Sequence, residues 1–249
     1  MAMEGSVGTR LQLKAKNPTT ITSALGSMCF VVEIVKPLSV GPLNRVLLVR
    51  VVDRPTIKPT SPIPTSLVAK TYNSQSSSLQ PPEGQNCDFE SDTNRQHREV
   101  KAYARLLDLQ GTMIPTFYGE YEGYTQSFES KMFSISLFEY IEQRTLDALS
   151  VPDLGQDGIQ RAKHETRRTL EECHARGVFH HDIQASNILF TGTNAVVFDW
   201  EGATFIDDKS LEDPRNWARS DLSALESTFK QFGVKDERPD LPKEFCSHW

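Results

Sequence analysis

The sequence has no long hydrophobic run. Its best apolar stretch, Val46-Leu47-Leu48-Val49, is bounded by Arg45 and Arg50. A membrane-spanning helix needs about 18 consecutive apolar residues, so no such span is expected. There is no basic excess either: 27 Lys and Arg face 33 Asp and Glu, a net charge of −6. Nucleic-acid binders need surplus cations against the phosphates, so that class of partner is excluded. Cysteine is sparse. Cys29, Cys87, Cys173 and Cys246 are scattered, with no Cys-x-x-Cys pair. This excludes a disulfide framework or zinc cluster and points to a reducing compartment, the cytoplasm, with the nucleus also open. Residues 1–28 lack the apolar core of a secretory signal, and no internal repeat is present.

What is there is enough apolar residue to build a core, 38% of 249 residues, with 24% charged. The length fits one domain or one domain of two lobes. Residues 1–27 read as a leader without fixed structure. Phe30–Val35, Arg45–Val52 and Leu67–Tyr72 are rich in β-branched residues and read as strands. Between the last two, prolines at 55, 59, 62 and 64 make 54–66 an extended loop. Residues 73–94, rich in Ser, Gln, Asn and Pro, have little to bury and read as a second flexible loop. A helix is expected at about 94–108, with Val100, Tyr103, Ala104 and Leu107 on one face. Two strands are expected near 115–122 and 132–141.

After about residue 145 the pattern becomes helical. Ile159, Ala162, Thr166, Thr169, Leu170 and Cys173 share a face, and Gly177 is placed to end that helix. A turn-rich β region covers 178–204. A last helix starts at Asp213-Pro214, Asp as cap and Pro in the first turn, and ends at Gly233.

The chemistry-bearing stretch is His180-His181-Asp182-Ile183-Gln184-Ala185-Ser186-Asn187, followed by Val196-Val197-Phe198-Asp199-Trp200-Glu201. In it a carboxylate and an amide stand five residues apart, and a second carboxylate ends an apolar run.

This segment resembles the catalytic core of the protein-kinase-like superfamily. The resemblance covers about residues 30–233 and implies a bilobal α+β fold. It places a β-rich N-lobe with one helix at 28–142 and a reduced α-helical C-lobe at 143–249. It also implies ATP and Mg2+ as cofactors. Asp182 would be the catalytic base, Asn187 a catalytic and metal-binding residue, and Asp199 the ligand joining metal and nucleotide. Lys70, ending Leu67-Val68-Ala69-Lys70, would anchor the phosphates, and Glu99 would hold that Lys. Glu139 and Tyr140 would lie in the hinge that meets adenine, with Leu137 at the back of its pocket. His180 would order the loop, and Asp221 would brace it from the last helix or stand exposed on that helix.

Departures from the family pattern bear on activity. No Gly-rich loop precedes Lys70; only Gly41 stands there. Gln184 replaces a Lys, His181 replaces an Arg, and Asp199-Trp200-Glu201 replaces Asp-Phe-Gly. That last form is more similar to choline and aminoglycoside kinases. The stretch from Asp199 to Asp221 is short, which reduces any peptide-docking segment. The implied function is transfer of the γ-phosphate of ATP to a hydroxyl, that of a protein first. Two alternatives stay open: a small-alcohol kinase, or a pseudokinase-like binding module. A metal hydrolase built on His180-His181-Asp182 is disfavoured, because helical metal sites use i, i+4 spacing.

Overall fold

Strands that turn alternate apolar residues to one face build the larger sheet of this protein. The computed structural model describes residues 7–16, 29–40, 45–53, 64–72, 92–125, 128–208 and 213–234. The chain divides into two compact units, residues 1–97 with 116–140 and residues 98–115 with 141–249.

The first unit is a closed antiparallel barrel. Its strands are β1 (Arg10–Ala15), β2 (Cys29–Val40), β3 (Arg45–Asp53), β4 (Ser66–Tyr72), β5 (Phe117–Thr125) and β6 (Phe128–Glu139). They run round the barrel in the order β1-β2-β3-β4-β6-β5, and β5 returns to β1. Alternate residues point inward. Leu11 and Leu13 of β1, Ile34 of β2, Val49 of β3, Leu67 of β4 and Leu137 of β6 are sealed in one core. Gly123 of β5 leaves the room that Ile135 fills, since an added Cβ there would overlap Ile135 Cδ1. The long strand β2 carries Pro37, and the register with β3 shifts on either side of it, as a residue without an N–H requires.

The bilobal protein-kinase-like fold, with its open β lobe and reduced helical lobe, is not what the chain forms. Among the described residues there are ten strands and three α-helices, and the main sheet closes into a six-stranded barrel. The reason is β1, which lies inside the stretch read as a structureless leader. Leu11 and Leu13 alternate with Arg10, Gln12 and Lys14, so one face of the strand is apolar. It pairs Leu13 with Phe30 on one side and with Gly123 on the other. That removes the two edges a five-stranded open sheet would expose. The remaining residues of 1–27 lie outside the described set. So do residues 54–63 and 73–91 of the two expected loops; Ser66 already opens β4, and α1 (Asp92–Arg105) begins at Asp92.

The second unit holds two longer helices and two small sheets. Helix α2 (Val151–Ala175) opens on a capping box: Ser150 Oγ accepts the Asp153 N–H, and Asp153 accepts the Ser150 N–H. It ends at Gly177, whose φ of 68° is the left-handed value a glycine takes without penalty. Strands β7 (Val178–Phe179) and β10 (Thr204–Phe205) pair, as do β8 (Ile188–Phe190) and β9 (Ala195–Val197). Helix α3 (Pro214–Lys230) starts as its sequence predicts, with Asp213 accepting the Arg215 N–H and Pro in the first turn. It packs on α2, and a buried ion pair, Lys163 to Glu226 at 2.7 Å, joins them. No helix among the described residues is long and apolar enough to cross a membrane.

Candidate functional site

The loop from His180 to Asn187 follows β7 and is fixed from beneath by one carboxylate. Asp221, on α3 and 1% exposed, accepts the His180 N–H at 2.8 Å and the His181 N–H at 2.8 Å, each on a different oxygen. His174, the penultimate residue but one of the helix–turn leading to Gly177, meets the same carboxylate through Nε2 at 2.9 Å. Burial works to raise the Asp221 pKa. The hydrogen bond and charge of His174, the His180 ring and the His180 amide outweigh it, and the carboxyl titrates below its ordinary value. Asp221 is therefore the brace, not an exposed helix residue.

His180 is fully buried, and its two ring nitrogens have opposite duties. Nε2 lies 3.0 Å from the Phe198 carbonyl, which can only accept, so Nε2 carries the proton. Nδ1 accepts the Asp182 N–H at 3.2 Å. Only the neutral ring satisfies both. Burial accordingly holds its pKa below the ordinary histidine value, against the pull of Asp221, Asp199 and Asp182. The ring ties the backbone at Asp182 to the backbone just before Asp199, and it rests on Trp200 at 4.5 Å between centroids. Trp200 is completely buried.

Asp182 is exposed, but one of its oxygens is not idle. Asn187 Nδ2 donates to Asp182 Oδ2 at 3.0 Å and to the Asp182 carbonyl at 3.0 Å. Gln184 Nε2 donates to the same Oδ2 at 3.0 Å. The hairpin of β8 and β9 then brings Asp199 back beside Asn187: Ile188 pairs with Val197, and the Phe198 N–H bonds the Asn187 carbonyl at 3.1 Å. Asp199 is half-buried with φ of 70°, and His181 has φ of 62°. These are the two left-handed non-glycine residues among the described ones; His181 lies within the loop and Asp199 just after β9. Such strain persists only where the surroundings impose it. Here Asp221 imposes it on His181, whose ring also meets Thr204 Oγ1 at 2.6 Å.

Asp182 and Asn187 are thus in direct contact, and the backbone leading into Asp199 is bonded to Asn187. Among the described residues no group of three or more His, Cys, Asp or Glu is placed to hold a metal. The donors available are the Asp199 carboxylate and the Asn187 amide oxygen, whose amide nitrogen is committed to Asp182. Hard oxygens of this kind suit Mg2+, which takes one or two carboxylates and completes its shell with water and phosphate.

The remaining expected residues fall elsewhere. Lys70 sits on β4 in the first unit, 7% exposed, opposite Val46 and Ser136, with Nζ 5.7 Å from the Tyr72 ring. Glu99 lies on α1, 2% exposed, in the second unit. Glu139 closes β6, and its carboxylate accepts the Thr116 N–H and hydroxyl, both at 2.9 Å. Tyr140 follows it, half-buried. Leu137 faces the barrel core, not a pocket.

Sequence reasoning missed two features. Gln184 is a partner of Asp182; the signal was available, because residues two apart in extended backbone point the same way and Gln184 is extended. It also missed how α1 meets the 200–208 segment. Arg98 Nε donates to the Glu201 carbonyl at 2.8 Å, and Lys101 bonds Asp208 at 3.0 Å above the Phe205 ring. Those partners lie a hundred residues apart, and no local pattern announces them. No family model matches the sequence, and no curated protein matches it.

Proposed function

We propose that the protein is an ATP- and Mg2+-dependent phosphotransferase acting on a hydroxyl group, that of a protein in the first instance. The observation that carries this reading is the Asp182 carboxylate. It is exposed, oriented by two amides on Oδ2, and fixed through its backbone to the strand end that bears Asp199. Asp182 accepts the proton of the acceptor hydroxyl as that oxygen bonds to the γ-phosphorus. The bond from γ-phosphorus to the bridging oxygen breaks, and its electron pair leaves with ADP. Asn187 and Asp199 offer oxygen ligands for Mg2+, which when bound neutralises phosphate charge. The scattered cysteines, with Cys29 and Cys173 both free, support a reducing compartment and hence the cytoplasm or nucleus.

The test is phosphate transfer from labelled MgATP to protein and small-alcohol panels. Wild-type chain should label an acceptor, and Asp182→Ala should lower that rate by about 100-fold or more, the usual worth of a positioned base. Labelling confined to a small alcohol would reassign the acceptor. Nucleotide binding without any transfer would favour the binding-module reading.

A further inference from the structure

We propose that Gln184 is a positioning residue for Asp182, fixing which of its oxygens receives the acceptor proton. This rests on the phosphotransfer reading of the same loop.

The argument starts from the lone pairs. A carboxylate on an exposed loop turns about its Cβ–Cγ bond and offers either oxygen to solvent. In this chain both side-chain donors converge on Oδ2: Gln184 Nε2 at 3.0 Å and Asn187 Nδ2 at 3.0 Å. Among the described residues Oδ1 has no partner. Two amides on one oxygen block its outward lone pairs and stop the rotation, so Oδ1 alone is left to take a proton. Asn187 is buried and held by a second bond to the Asp182 carbonyl, so it cannot follow the carboxylate if it turns. Gln184, exposed and extended, supplies the second point that turns a pivot into a fixed plane. Donation is what counts, not charge. A neutral amide orients the carboxylate without adding a counter-charge beside it. A group that donates one bond from the same place should serve; one that cannot donate should not.

The experiment uses the full chain in two arms. In the first, the side-chain amide signals of Gln184 and Asn187 are followed by nitrogen–proton NMR in the nucleotide-free protein, wild type against Asp182→Ala. Both pairs of signals should move. In the second, kcat and the KM for ATP are measured for Gln184→Leu, Gln184→Glu and Gln184→Lys. Losing one hydrogen bond to a charged group corresponds to about tenfold. Gln184→Leu and Gln184→Glu should therefore lower kcat by about tenfold with the KM for ATP unchanged. Gln184→Lys, which restores a donor, should recover most of the rate. A mere loss of loop structure would move kcat and KM together and would not be rescued by Lys. A Gln184→Leu variant with wild-type kcat overturns the proposal, as does an unmoved Gln184 signal in a chain that transfers phosphate. If the wild-type chain transfers nothing while the Gln184 signal moves, the phosphotransfer reading itself fails and takes the positioning role with it.

Discussion

Replacing Asp221 with Ala should be among the most damaging single changes in the second unit. Its carboxylate accepts three hydrogen bonds at 2.8, 2.8 and 2.9 Å, from the amides of His180 and His181 and the ring of His174. His174 is 1% exposed and His180 0%, so at least two of the three donors cannot turn to water. A buried donor left without a partner costs about 1–3 kcal/mol. The two sealed donors and the space left by the carboxylate together give about 3–5 kcal/mol, the range seen when one partner of a buried charged network is removed. Urea unfolding followed by tryptophan fluorescence reads this directly, since Trp200 and Trp217 both lie in the same unit. Asp221→Asn keeps the shape and one acceptor and should lose about half as much, which preserves the test if the Ala variant does not fold. A loss below about 1 kcal/mol for Asp221→Ala would refute the reasoning. It would mean that the His180 and His181 amides find other partners, and the brace beneath the loop would no longer explain the left-handed His181.

Stability should fall in acid in two steps. His180 is held below its ordinary pKa by burial, so the unfolded chain takes up that proton first. Its contribution is whole above about pH 6.5 and declines as the pH drops below that. Asp221, also shifted down, adds a second loss below about pH 4. Urea midpoints at pH 7.5, 6 and 5 should show the first step, and a pH-independent midpoint across that range would contradict it. In the barrel, Gly123→Ala drives a methyl into Ile135 Cδ1 and should cost about 1–3 kcal/mol. The Gly123→Ala, Ile135→Val double variant should recover part of the loss, and failure to do so would place the strain elsewhere. For the buried pair Lys163–Glu226, either Lys163→Met or Glu226→Leu alone should cost about 3–5 kcal/mol, and the double replacement less than either. Additive losses in a double-mutant cycle would show that the two charges are not coupled.

Local chemistry was legible where it is self-sufficient. The cap at Asp213, the proline behind it and the turn at Gly177 follow from one residue each, and the helices obey them. The pairing of Asp182 with Asn187 is local in the same way, within six residues, whereas Gln184 between them was not read as a partner. What was hidden depends on partners far away in sequence. Strand β1 is short, and half of its residues are polar; nothing local says that Leu11 and Leu13 will be sealed between β2 and β5. The phase of α1 was hidden differently. Its buried face carries Asp92, Gln96 and Glu99 together with Tyr103, while Leu107, expected on that face, lies past the helix end and is 45% exposed. Apolar periodicity rewards Val100 and Leu107 and cannot see polar residues satisfied by distant groups. Gln96, for instance, donates to Ser136 at 3.2 Å and accepts from Ser134, which in turn accepts from Lys16. Asp221 and Lys163 are buried on the same terms, each by a partner on another helix or loop.

The account turns on whether the Asp182–Asn187–Asp199 arrangement engages magnesium and nucleotide. Thermal melting of the full chain with ATP, with and without Mg2+, beside Asp199→Asn, tests that most directly. A ligand that binds only the folded state stabilises it by mass action, about 2.7 kcal/mol at a hundredfold excess over its dissociation constant. Wild-type chain should melt higher with MgATP than with ATP alone, and Asp199→Asn should abolish that difference. No magnesium-dependent shift at millimolar ATP, or one that survives in Asp199→Asn, would contradict the account.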